Sequence, residues 1–232
     1  MSVPHYDIVE LTDAEIEQER TVFGGLAESI RSLNDASLRS TVAAEEIEDI
    51  RREVERLTAR LQRAEIPGAF GVSFTPGGSM RGYGNAVVGL RNPHAVPLEI
   101  RRDGTGLAEA AFTLGALHEG PPGCVHGGVL ALLLDQVMGE SASDGGSPGM
   151  TGTLTLRYLR PTPLGDCSIR AWIDRVEGIK TFVHAEFSAA DGEPTVSVEG
   201  IFVTPKWVRD LRDPTSSESD TAEQPTRPPR FE

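Results

Sequence analysis

Cysteine is nearly missing from this 232-residue chain. Its two thiols, Cys124 and Cys167, are too few for a disulfide framework or a four-thiolate metal site. Positive charge is also short, with 22 Lys and Arg against 35 Asp and Glu for a net charge of −13. So acidic a chain has no basic face to offset phosphate repulsion, and neither nucleic acid nor an anionic membrane is expected as a partner. Long apolar runs are absent too. The longest, Val129 to Leu134, falls far below the roughly 20 residues of a bilayer span. The opening MSVPHYDIVELTDAEIE lacks the positive-then-apolar order of a secretory signal, and a soluble cytoplasmic protein is expected. No HExxH, paired CxxC, Walker or Rossmann glycine pattern occurs, so no metal and no cofactor are implied.

What is present divides into four stretches. Residues 1–66 read as a helical extension. Thr12-Asp13-Ala14-Glu15 fits a capping box, and Ile16, Phe23, Leu26, Ile30 and Leu33 follow at helical spacings. Gly24-Gly25 weakens that helix, and Asn34-Asp35 is a candidate stop. Ala43, Ile47, Ile50, Val54, Leu57, Leu61 and Ala64 then alternate at four and three, a narrow a/d seam flanked by Glu and Arg. That seam suits an amphipathic helix lying on the neighbouring domain, or a coiled-coil or docking arm. Residues 67–82, with Pro67-Gly68 and Pro76-Gly77-Gly78, read as a flexible joint.

Residues 83–207 change to strands around one helix. Leu107–Leu114 is a candidate strand, and a helix runs from about Gly128 to Ala142, where Asp144–Gly149 breaks it. Met150–Tyr158, Ser168–Val176, Thr181–Ala189 and Thr195–Val203 are strand-like runs with short separators, which predicts an antiparallel meander. The fold class is therefore α+β, a sheet wrapped around one long helix. Residues 208–232, rich in Pro, Ser, Thr and acidic side chains, are expected to be a disordered tail.

The chemistry concentrates in PPGCVHGGVLALLLDQVMGESAS, residues 121–143. Gly127 and Gly128 let backbone approach a ligand, and a helix start offers free N–H groups and a positive dipole end. A lone carboxylate, Asp135, in an otherwise apolar helix is a candidate functional group, although an arginine-paired structural role would also hold it there. Cys124 reads as a small buried residue rather than a nucleophile.

The string GCVHGG, the apolar helix with Asp135 nine positions after His126, and the Thr-bearing strand ending RYLRPTPLG resemble the hotdog-fold acyl-CoA thioesterases. The closest resemblance is to their HGG-type branch, which includes the phenylacetic-acid-degradation thioesterases. It covers roughly residues 84–205 and leaves the N-terminal helices and the tail outside. GLRNPHAVPLEI upstream resembles an opening strand and loop of some bacterial members. The resemblance implies a hotdog fold with paired protomers sharing one sheet, and a hydrolase of lipid metabolism. It implies catalytic roles for Gly127 as donor to the thioester carbonyl, Asp135 as nucleophile or general base, Thr151 as an assisting hydroxyl and His126 as a shaping residue.

Physical reasoning on the same residues adds a constraint. Eight residues of helix separate Gly127 from Asp135 by roughly 12 Å, at 1.5 Å per residue. Both cannot reach one carbonyl, so a complete site needs two protomers. Thr153 and Thr155 alternate along the strand after Thr151 and compete with it for the place beside the carboxylate. Gly128, Arg157 and Arg160 are candidate substrate contacts, the arginines for CoA phosphates. The expected partner is an acyl-CoA substrate, with an acyl carrier protein as the alternative thiol carrier, and the assembly is a homodimer or a tetramer. A hotdog hydratase ranks low because no matching Asp/His or His/Glu pair is found. The reading from another class is an acyl-CoA-binding protein without turnover, whose N-terminal helices dock a partner.

Overall fold

The computed structural model describes residues 7–76, 80–206 and 208–209. The tail expected to be disordered lies outside the described residues beyond position 209. In chain order the elements are β1 (Asp7–Ile8), α1 (Asp13–Arg39), α2 (Ala44–Leu61), β2 (Ser73–Phe74), β3 (Met80–Arg81), β4 (Ile100–Arg102) and β5 (Ala108–Leu114). A 3-10 turn (Ala116–His118) follows, then α3 (Gly127–Asp144), β6 (Met150–Tyr158), β7 (Gly165–Glu177), β8 (Lys180–Ala189) and β9 (Pro194–Val203).

Six strands form one antiparallel sheet in the order β4-β5-β7-β8-β9-β6. Against it α3 buries Leu130, Leu133, Leu134, Val137, Met138 and Ala142. The sheet presents small and large side chains in turn, with Ala108, Ala110, Ala171 and Ala185 beside Ile169, Val183, Phe187, Val198 and Phe202. The alanines leave room for the helix to seat closely, and the large side chains close around it. At Gly200 a Cβ would lie 2.7 Å from Met138 Cε, so a larger residue there would displace the tip of that methionine. This is the hotdog arrangement.

The expected four-strand meander is corrected by this order. β7, β8 and β9 do form a meander, but β6 pairs with β9 and sits on the edge. The link between β6 and β7 contains Pro161 and Pro163, which cannot close a two-residue hairpin with ladder bonds on both sides. Instead it crosses beneath the start of α3, where Val125 N donates to Thr162 O and Leu164 N to Gly123 O. β5 then takes the place beside β7.

At the N-terminus the capping box forms, Thr12 Oγ1 accepting from Glu15 N while the Glu15 carboxylate accepts from Thr12 N at 2.8 Å. The helix does not stop at Asn34-Asp35 but continues to Arg39, helped by the Asp35–Arg39 ion pair one turn apart. Gly24 is also used rather than merely tolerated. A Cβ there would meet Leu90 Cδ1 at 3.1 Å, so its absence lets α1 lie close to the body. Glu19 completes the attachment by an ion pair with buried Arg81, whose Nη2 lies 2.7 Å from Glu19 Oε2.

Arg81 lies in the stretch read as a flexible joint. That stretch supplies β2 and β3, which pair with each other, and β2 pairs in turn with β1. α2 corrects the reading in which it lies on the neighbouring domain, because none of its residues is buried.

Candidate active site

α3 begins at the glycine pair because His126 caps it. His126 is extended, and its Nδ1 accepts from Gly128 N at 3.0 Å. Its own N–H donates to His118 O at 2.9 Å, fixing the loop before the helix. A Cβ on Gly128 would lie 3.2 Å from the imidazole, so glycine leaves space for the cap. The Gly127 N–H is left with no hydrogen-bond partner among the described residues, while the Gly127 carbonyl accepts from the Tyr158 hydroxyl at 3.0 Å. The result is one backbone donor, held in place from both sides and backed by a helix dipole.

Two turns along α3, Asp135 is partly exposed and has no arginine or lysine beside it among the described residues. Its one hydrogen bond comes from Thr151, whose Oγ1 donates to Oδ1 at 2.6 Å. A bulge in β6 decides which threonine does this. The register with β9 shifts between Thr151 and Thr153, so Gly152 is the extra residue. Beyond it Leu154 and Leu156 pack on the core, while Thr153 and Thr155 face away, beside Phe182, His184 and Glu199. The three threonines thus do not share one face.

The other candidates are placed differently. Arg160 is tied to the turn before β9, donating to Asp191 Oδ1 and to Glu193 O, both at 2.7 Å. Arg157 is exposed and projects on the opposite side of β6 from Leu156 and Tyr158. Cys124 is half-buried rather than buried, in a turn bridged to Pro163. Tyr158 is the residue that sequence reasoning passed over. Its place at the end of the RYLRPTPLG strand, in step with Leu154 and Leu156, was the available signal.

A cavity of about 360 Å³ runs alongside the same helix. Val129, Leu132 and Leu133 form its α3 wall, with Val96, Leu117 and His118 opposite and the C-terminal half of α1 across its end. Burial pushes the His118 imidazole below its ordinary range, and nearby His94 adds to the effect. The size and mostly apolar lining suit a ligand chain rather than solvent.

The thioesterase superfamily profile matches residues 122–196. A crystal structure of a thioesterase superfamily protein, 32% identical, aligns with a TM-score of 0.69 over 78% of this chain and 90% of that one. The chain belongs to the thioesterase superfamily. That coverage is more than the sheet and its helix alone supply, so the likeness reaches into the N-terminal region that the sequence motifs had left outside. Acyl-coenzyme A thioesterase THEM4 of Xenopus laevis is 36% identical over 81 residues, 34% of this chain and 36% of that protein. The protein of the same name from Bos taurus is 32% identical over 96 residues, 40% and 38% respectively. The chain thus spans little more than a third of the length of the curated relatives it matches. No helix among the described residues of this thioesterase-superfamily chain is long and apolar enough to cross a membrane.

Proposed function

We propose that this protein hydrolyses acyl-CoA thioesters at a site assembled from two protomers. The observation that carries the reading is a division of labour along α3. An unpartnered N–H at Gly127 opens the helix, and a carboxylate oriented by Thr151 sits two turns away at Asp135. The two groups are separated by roughly 12 Å in one chain, so the Gly127 of one protomer works with the Asp135 of another. β6 supports this pairing. It is a nine-residue strand at the sheet edge, and a second β6 continues the ladder across a two-fold axis.

In this reading the Gly127 N–H donates to the thioester oxygen, most strongly as that oxygen gains charge. Asp135 acts on the carbonyl carbon by drawing a proton from water, or by attacking it to form an anhydride that water then opens. The C–S bond breaks, the thiolate takes the proton, and free acid and CoA leave. Thr151 holds Oδ1 and leaves the other carboxylate oxygen free for this work. His126 shapes the donor and takes no proton. The cavity beside Val129 and Leu132 receives the acyl chain. An acyl carrier protein thioester presents the same reacting atoms, and Gly128 lets either approach the helix start. Of the two arginines, Arg157 is the one whose guanidinium has no described partner to leave before meeting a phosphate.

The test is thiol release from short, medium, long and aryl acyl-CoAs, comparing wild type with Asp135→Asn. Turnover by the wild type that falls at least about 100-fold in the variant supports the reading. Acyl-CoA binding without turnover in either protein would instead make this a binding member of the superfamily.

A further inference from the structure

α2 is 18 residues long, about 27 Å, and every residue of it is exposed. Such a helix draws its stability from packing an apolar face, and α2 packs none within its own chain. The uncovered seam is well defined: Ile47 is 42% exposed, Leu57 51% and Leu61 53%, with Ile50 and Val54 between them. A groove of about 620 Å³ separates Val54, Leu57 and Leu61 from Leu26, Ile30 and Leu33 of α1. Two apolar stripes therefore face a common space that neither fills.

The flanks of the seam indicate what covers it. A helix docking on a globular surface spreads its apolar stripe over a third position of the heptad, whereas here every apolar residue larger than alanine stands at a or d. The neighbouring positions are Glu46, Glu53 and Arg60 on one side, and Arg51 and Thr58 on the other. These charges complement themselves. In a parallel pair Glu46 stands opposite Arg51 of the second copy and Glu53 opposite Thr58. In an antiparallel pair with full overlap Glu53 stands opposite Glu53 and Arg51 opposite Arg51. The parallel arrangement sets no like charges against each other, and the charges therefore favour it. A membrane surface fits poorly, because the first turn of α2 carries Glu45 and Glu46 rather than cations.

We propose that α2 pairs with α2 of a second copy of this chain, its seam closing the groove that α1 and α2 leave open. The two helical extensions then form an intermolecular bundle, an association surface separate from the β6 edge.

The test uses full-length protein under mild oxidation. Leu57→Cys alone links two copies if the helices are parallel, and Ile50→Cys/Val54→Cys links them if antiparallel. Expected is at least about tenfold more covalent dimer from one of these than from wild type or from Glu55→Cys, which lies off the seam. In sedimentation, Ile50→Glu/Leu57→Glu should weaken self-association at least about tenfold while the sheet domain keeps its melting temperature. No link above wild type together with unchanged association would overturn the pairing. So would an intrachain link in Ile30→Cys/Leu57→Cys, which would mean that α2 folds onto its own α1. None of these readouts depends on thioester turnover.

Discussion

The Thr151 hydroxyl donates to Asp135 Oδ1 across 2.6 Å, joining the bulged edge strand to the central helix. A hydroxyl donating to one carboxylate oxygen fixes the orientation of the group. Thr151→Val removes the donor and keeps the shape. Turnover is expected to fall about tenfold or more as the carboxylate loses its fixed orientation. Thr151→Ser should restore most of the rate. A variant as active as wild type would remove Thr151 from the site.

Leu132 faces the cavity one turn before Asp135. Leu132→Trp fills part of that space without adding charge. Relative kcat/KM for long acyl-CoAs should drop about tenfold or more against short ones, since each excluded methylene forfeits about 0.8 kcal/mol of burial. An unchanged chain-length profile in an active variant would place the acyl chain elsewhere while leaving hydrolysis itself intact.

His126 caps α3 through its Nδ1, and a cap can be replaced. His126→Ala should lower stability by about 1 kcal/mol, read as a fall in melting temperature, and should slow turnover by loosening the Gly127 donor. Asparagine is a strong N-cap that cannot act as a base near neutral pH. His126→Asn is therefore expected to recover most of both losses. Activity as low in the asparagine variant as in the alanine one would mean that the imidazole itself takes part.

Cys167 gives an alkaline limit to stability. Burial, with a smaller contribution from Asp166, pushes its thiol up from 9.0 to about 11. Between those values the unfolded chain has released the proton and the folded chain has not, so unfolding becomes easier as pH rises. The contribution is fully present below pH 9 and is lost by about pH 11. Cys167→Ala should flatten that part of the stability curve by up to about 2–3 kcal/mol, measured by denaturant melts from pH 8 to 11. Parallel curves for the two proteins would show that the thiol has no such role.

Much of this protein is legible in its order of residues. The capping box, the places of α3 and the five longer strands, and the seam on α2 all rest on local chemistry: caps, side-chain period and turn residues. The motif around Gly127, Gly128 and Asp135 is local too, and the distance between its ends is what led to the proposal of a site divided between chains. Pairing is not local. The placement of β6 beside β9 depends on where a proline-bearing link can pass, and that depends on the helix it passes beneath. The choice of Thr151 over Thr153 and Thr155 turns on one extra residue, Gly152, in a ladder whose partner strand lies about 50 residues away in sequence. The continuity of α1 through two glycines and past Asn34 follows from its seat against Leu90 and from the Glu19–Arg81 pair, contacts between distant segments. Sequence by itself determined the elements and the chemistry they carry, because those follow from neighbours within a turn or a strand. Tertiary structure alone decided which strand lies at the edge, which hydroxyl meets the carboxylate and which helix remains uncovered, because those follow from the packing of the whole chain.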